Sequence, residues 1–253
     1  MTMKPQIMRP RLLAQFPELC CGVSTRIGGV SPEPLGMNLS FHAGDRDENV
    51  EQNRRLFFGE MNIPPENVAF TRQVHGDNVH EARSAGTYEA CDALVTNGPG
   101  VFLTVSVADC LPVLLFDRVT KSVGAVHAGW RGSRSAIVAR SVEMMRRRFH
   151  ASPETMLAYI GPAAGVCCYE VGEEVAAAFG STYVQRTKGR KPHLDLKLVN
   201  RTLLIEAGLL AANIEVSDAC TICQAGLFHS FRRDGQRSGR MLGVIGIRGI
   251  ATG

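Results

Sequence analysis

Only one tryptophan, four tyrosines and seven histidines occur in 253 residues, and no His-x-His pair is present, so a multicopper centre built from many imidazoles has too few ligands here. Neither sign of charge is in large excess. The 28 basic and 24 acidic side chains leave a formal charge of +4, too weak to imply the phosphate grip of a nucleic-acid binder, and the expected partners are small molecules. No apolar run reaches the ~18 residues of a membrane helix; the most apolar stretch, 103–116, is interrupted by Asp109 and Pro112. The segment 1–17 lacks the apolar core and cleavage site of a signal peptide, so the expected location is the cytoplasm, with no membrane contact. Eight cysteines are too few for a disulfide scaffold. Two pairs, Cys20-Cys21 and Cys167-Cys168, are sequence neighbours that scarcely allow a bridge between them, so reduced thiols are expected. Repeats and low-complexity tracts are absent as well, and the paired His-x-Glu and Pro-Cys-x-x-Cys of zinc deaminases do not occur.

Short β-branched or apolar runs separated by turn residues predict strands over 20–25, 68–74, 93–96, 101–107, 112–116, 122–126 and 241–247. Helical spacing of Val50, Phe57 and Met61 predicts a helix capped by Asp47 and stopped by Pro64-Pro65. A second follows Ser133 with Ile137, Val138, Val142, Met145 and Phe149 on one face. A third, capped by Asp195, carries Leu196, Val199, Leu203, Ala207 and Leu210 and weakens at Gly208. Because strands cluster instead of alternating with helices, the fold class is α+β: one compact domain over 1–253, a central mixed β-sheet or β-sandwich-like core flanked by helices.

Three segments place metal-capable side chains beside strand ends: Gln73-Val-His75-Gly76, Asp109-Cys110-Leu-Pro112 and His127-Ala-Gly-Trp-Arg-Gly132. Two imidazoles and a thiolate suit zinc with three protein ligands and a fourth position open, although ligands so far apart in sequence must converge from different strands. The residues alone also allow hydrogen-bonded rim histidines and a small buried cysteine. Other candidates are Arg131, which lies between backbone-permissive glycines and can meet an anion bidentately, and Glu170, a general base or ribose ligand. The arginines at 232, 233, 237 and 240 could receive phosphate or form a solvated loop. Cys220-x-x-Cys223 lacks a second Cys-x-x-Cys and reads as buried or incidental thiols. His42, His80, His150, His193 and His229 read as polar surface or capping residues.

These three motifs, together with Thr25-Arg-Ile-Gly-Gly-Val-Ser31, Asn38-Leu-Ser40, Gly44-Asp45, Ile160-Gly-Pro162, Cys167-Cys-Tyr-Glu-Val-Gly172 and Ser230-Phe-Arg-Arg-Asp-Gly235, resemble the laccase-domain, or YfiH-like, purine nucleoside phosphorylase family, formerly called polyphenol oxidases. The resemblance spans most of the chain. It implies a zinc held by His75, Cys110 and His127, which are then also the catalytic residues. It further implies purine nucleoside phosphorolysis with phosphate, accompanied by adenosine deamination and methylthioadenosine cleavage in one pocket; some relatives are linked to editing of peptidoglycan precursors. Arg26, Asn38, Gln73, Arg131 and Glu170 are the expected substrate contacts. Phe231 stands where the family often has tyrosine. The competing readings are a copper-dependent polyphenol oxidase, with copper in place of zinc, a Cys-His hydrolase using Cys110 as nucleophile, and a metal-dependent interaction module.

Overall fold

A computed structural model describes residues 4–249, so the first three and last four residues of the expected 1–253 domain lie outside it. In chain order the described strands are β1 (Ile7–Met8), β2 (Leu19–Ser24), β3 (Val68–Thr71), β4 (Val79–Glu81), β5 (Gly86–Tyr88), β6 (Ala93–Thr96), β7 (Phe102–Val107), β8 (Leu111–Asp117), β9 (Val123–Ala128), β10 (Met156–Ile160), β11 (Val184–Gln185), β12 (His193–Leu194), β13 (Ile214–Val216) and β14 (Met241–Ile247). The helices are α1 (Asp47–Glu60), α2 (Trp130–Arg134), α3 (Ile137–Phe149), α4 (Glu173–Ala176), α5 (Leu196–Glu206) and α6 (Phe231–Asp234).

Two six-stranded sheets dominate. One has the order β1-β2-β14-β7-β3-β5 and the other β13-β10-β8-β9-β6-β4, while β11 and β12 pair separately. Both large sheets are mixed, with β3 parallel to β5 and β7, and β4 parallel to β6. Strand alternation feeds two cores at once. Along β8, Leu114 and Phe116 join the core shared with Leu103, Val105 and Ile245 of the other sheet, whereas Leu111, Val113 and Leu115 face the core that holds Val138, Val142, Met145 and Phe149 of α3. On the outer face of the first sheet, Leu242, Val244 and Phe102 pack with Phe57 and Phe58 of α1. The layers therefore run helix, sheet, sheet, helix, and the expected α+β class with a sandwich-like core is what forms.

All seven residues of β8 are buried, since both faces of this strand are covered; that is why it reads as a continuous apolar run instead of an alternating one. Burial of each large apolar side chain on these faces contributes about 1.5–3 kcal/mol.

Three local expectations change. Asp47 is the first residue of α1, not its cap; the preceding Arg46 occupies the cap position without a side-chain bond, and Asp45 accepts from the Arg46 N–H at 2.9 Å. Ser133 lies inside α2, its hydroxyl bonded to Asn200 at 2.8 Å, and the chain turns left-handed at Ala136 before α3 begins. The strand expected over 68–74 ends at Thr71, because the N–H groups of Val74, His75 and Gly76 turn away to a carboxylate. Asp195 does cap α5, accepting from Leu198 N–H at 2.9 Å, and Gly208 follows that helix at φ +100, a conformation glycine adopts without strain.

Candidate metal centre

The chain crosses between the two large sheets at one end of the sandwich, and two crossings carry expected ligands. His75 follows β3 on the way to β4, with left-handed backbone at φ 58, and Cys110 lies between β7 and β8, next to Asp109 at φ 89. His127 comes from β9, immediately before the Gly129 turn into α2. One ligand atom from each of the three lies within 4.8 Å of the others, and the two imidazole rings meet edge to face at 89° with centroids 4.9 Å apart. A Cβ on Gly129 would sit 3.2 Å from Cys110 Sγ and 3.6 Å from His75 Cδ2, so the bare backbone is part of the cradle. Two nitrogens and one sulfur converging with one side open to a cavity fit a metal ion of borderline softness with three protein ligands.

A carboxylate that the motifs do not reveal organises this group. Asp92, fully buried, lies 2.8 Å from His127 Nδ1 and accepts the backbone N–H groups of Val74, His75 and Gly76 at 3.1, 3.0 and 2.8 Å. One side chain thus orients His127, leaving its other nitrogen for the metal, and folds the turn that presents His75. Burial alone would raise the Asp92 pKa, but the bonds from His127 and from the Gly76 and Val74 N–H groups hold it below the usual carboxylate value. Cys110 shows the same contest. Desolvation pushes its thiol up, yet the charge and hydrogen bond of His127, with help from His75, bring it down to about 6. Burial opposes protonation of His127, but Cys110 and Asp92 raise it to about 9. Without metal, then, each group favours the charged form of the other, thiolate beside imidazolium.

The group opens into a cavity of about 810 Å³. Aromatic wall comes from Phe41, Phe70, Trp130, Tyr169 and Phe231, and cationic wall from Arg54, Arg72, Arg131, Arg232 and Arg240. Two of these guanidiniums, Arg54 and Arg240, are largely desolvated, which lowers the Arg54 pKa to about 10 and that of Arg240 as well. Among the described residues neither has a carboxylate partner. Arg54 donates to the Leu39 carbonyl at 2.9 Å and lies 4.5 Å from both the Phe41 and Phe70 ring centres; Arg240 donates to the Ser238 and Gly239 carbonyls at 2.6 and 3.1 Å. Partly desolvated cations with no carboxylate paired to them, Arg240 feeling only the more distant charges of Asp109 and Cys110, make the cavity receptive to an anion.

The expected substrate contacts separate into two groups. Arg131 lines the cavity, with its guanidinium carbon 4.4 Å from the Trp130 ring centre. Gln73 lines it too, but its amide is engaged with Ser106, donating to O at 2.9 Å and accepting from N at 2.7 Å, so it braces the wall. Glu170 borders a smaller adjoining cleft of about 190 Å³, 3.7 Å from His193 Nε2. Arg26 and Asn38 do not line either cavity. Arg26 is tied to the Ala225 and Pro34 carbonyls at 3.0 and 2.7 Å and to Glu33; Asn38 is fully buried and accepts the Arg240 N–H at 2.9 Å, acting on the pocket through that arginine. Arg232 N–H donates to Asp109 at 2.6 Å, and Arg240 lies 5.3 Å from the Phe231 ring. Phe231 therefore contributes an apolar wall where a tyrosine would add a hydroxyl. His229, read as a surface or capping residue, is instead fully buried with neither ring nitrogen partnered, and desolvation with the nearby Arg26 and Arg240 lowers its pKa to about 3.

Residues 20–248 match the family model described as multi-copper polyphenol oxidoreductase laccase. A Deinococcus radiodurans protein named purine nucleoside phosphorylase is 41% identical over 231 residues, covering 88% of this chain and 87% of that protein. Purine nucleoside phosphorylase YlmD of Bacillus subtilis is 33% identical over 248 residues, covering 91% and 89%. The solved structure of YlmD from Geobacillus stearothermophilus superposes with a TM-score of 0.88 at 33% identity, over 93% of this chain and 94% of the other. With its ligand-bearing crossings, its sandwich and these relatives in agreement, the chain belongs to the laccase-domain family of YlmD- and YfiH-like proteins.

Proposed function

We propose that this protein is a zinc-dependent purine nucleoside phosphorylase, taking small nucleosides and inorganic phosphate, and that the same pocket deaminates adenosine and cleaves methylthioadenosine. The observation that carries this reading is the meeting of His75, Cys110 and His127 with partly desolvated guanidiniums that have no paired carboxylate, in one aromatic-walled cavity. The names of the Deinococcus and Bacillus relatives support it. Two nitrogens and a thiolate match zinc, and bound there it supplies Lewis acidity next to the substrate.

The chain's own residues do the rest. Trp130, Tyr169 and Phe70 offer faces on which a purine stacks. Arg131, Arg54 and Arg240 neutralise phosphate and hold one of its oxygens toward C1′ of the ribose. As the new C1′–O bond forms, the C1′–N9 bond breaks and its electron pair leaves with the purine, which takes up the proton that the attacking hydrogen phosphate gives up. Asp92 keeps His127 in one orientation throughout. The partners are small molecules, with no nucleic acid or membrane contact; no described helix is long and apolar enough to cross a bilayer. The eight unpaired cysteines support a reducing, cytoplasmic setting.

Product analysis tests the reading. Inosine with phosphate should yield hypoxanthine and ribose 1-phosphate, and adenosine should yield both adenine and inosine. Oxidation of a phenol with bound copper, faster than any nucleoside turnover, would overturn it in favour of the oxidase.

A further inference from the structure

We propose that Cys167, Cys168, Cys220 and Cys223 form a second metal site, a closed tetrathiolate that takes one zinc ion. These four share no ligand with the His75 group, and the inference does not depend on what reaction the cavity carries out.

Sequence spacing conceals the arrangement, since the partner of Cys220-x-x-Cys223 is an adjacent pair some fifty residues earlier. The turn after β10 and the loop after β13 bring all four Sγ atoms within 4.8 Å of one another. Cys168 and Cys167 lie 3.1 and 3.5 Å from Cys223 Sγ to Sγ, far beyond an S–S bond and about 0.7 and 0.3 Å short of the roughly 3.8 Å edges of a tetrahedron with 2.3 Å Zn–S bonds. No other group of cysteines among the described residues gathers its thiols in this way.

The backbone is shaped for thiolates as well. Gly165 N–H donates to Cys220 Sγ at 3.2 Å, and a Cβ on Gly165 would lie 3.1 Å from Cys220 Cβ and 3.2 Å from Cys167 Sγ, so glycine lets the chain close over the sulfurs. Cys168 N–H turns back to the Gly165 carbonyl at 2.9 Å, and Gln224 N–H to that of Cys220 at 3.0 Å, closing one turn around each half of the ligand set. Nearby Lys197 donates only to the Ser217 and Ala219 carbonyls, at 2.7 Å each, and has no carboxylate partner among the described residues. Its cation partly offsets the two negative charges that four thiolates leave on a divalent ion. Binding forms four Zn–S bonds and releases the protons the thiols carried.

Such a site ties together a piece of the cavity wall and a segment that braces it. One is the segment with Tyr169 and Glu170. The other holds Thr221, which donates to Asp109 at 2.7 Å and whose carbonyl accepts from Arg233. Cys223 and Cys167 are exposed, so the ion can enter from solvent.

The test uses the full chain carrying Cys110→Ala, which removes the other metal group, purified without added metal. Elemental analysis should find about one zinc per chain, lost when Cys223→Ser is added while circular dichroism shows the fold intact. Cobalt reloading of Cys110→Ala should give thiolate-to-cobalt charge transfer of four-sulfur intensity with tetrahedral ligand-field bands. Metal-free protein whose four thiols all react freely with a disulfide reagent would overturn the proposal, as would an intact mass two hydrogens low from a disulfide among them.

Discussion

The His75–Cys110–His127 group and the four-cysteine group both gather soft donors, but their surroundings differ. The first has three donors, a buried carboxylate behind it and an open side on a cavity of about 810 Å³. The second has four donors and is closed by its own turns. Three ligands with room for a substrate describe a reactive centre, whereas four ligands describe a clamp. The number of protein donors and what fills the remaining side, more than the presence of cysteine, set the two groups apart.

The sharpest break in this comparison comes from Cys110→Ala. Turnover should fall by more than the 10–100-fold that loss of an outer partner typically costs, in parallel with metal at that centre, while the four-cysteine group is untouched. Retained metal at His75 and His127 with normal turnover would remove Cys110 from the ligand set. Next in size is thiol reactivity in metal-free protein. A Cys110 pKa lowered to about 6 leaves the thiolate populated above that pH, against about 11 for Cys91, where burial pushes the thiol up. At pH 7 alkylation mapped by mass spectrometry should favour Cys110 by roughly 30-fold in thiolate fraction over an unperturbed thiol; the advantage should disappear as pH rises through about 8.5, and the Cys110 rate itself should fall as pH drops below about 6.

Asp92→Asn should weaken metal affinity or activity about 10- to 100-fold, measured by competition with a chelator. A smaller effect is expected at the cavity wall: Arg131→Lys keeps the charge but loses the planar fork, so KM for phosphate should rise about tenfold with metal content unchanged. An unchanged KM would take Arg131 out of the anion site. Smallest is Asp195→Ala, which removes the α5 cap and should cost about 1 kcal/mol in denaturant unfolding while leaving both metal groups loaded.

Much of this was legible because the strands that build the two cores announce themselves. The runs at 93–96 and 241–247 coincide with β6 and β14, and the α3 stripe lies where its spacing places it. Other strands were hidden for physical reasons. The segments of β4, β5 and β13 are three residues each and partly exposed, too short for a pattern to emerge, while the five-residue apolar run of β10 is equally compatible with a buried helix turn. The three motif ligands could be named from the sequence, but not Asp92 or Arg54, nor the indirect way in which Asn38 acts. Asp92 acts through Nδ1 of a histidine 35 residues away, Arg54 projects from a helix on the other side of the first sheet, and Asn38 acts through the backbone of Arg240. Of Asp92 and Arg54, only Asp92 left a signal, as the carboxylate entering an apolar strand, Ala93–Thr96.

The central claim is that phosphate-dependent cleavage happens at the His75–Cys110–His127 group. Zinc added back in steps to chelator-stripped enzyme, with inosine and phosphate present, measures it directly. Hypoxanthine formation should rise in proportion to the zinc restored to that group and stay absent when phosphate is omitted. Cleavage that survives complete metal removal, or that proceeds equally well without phosphate, would contradict the account.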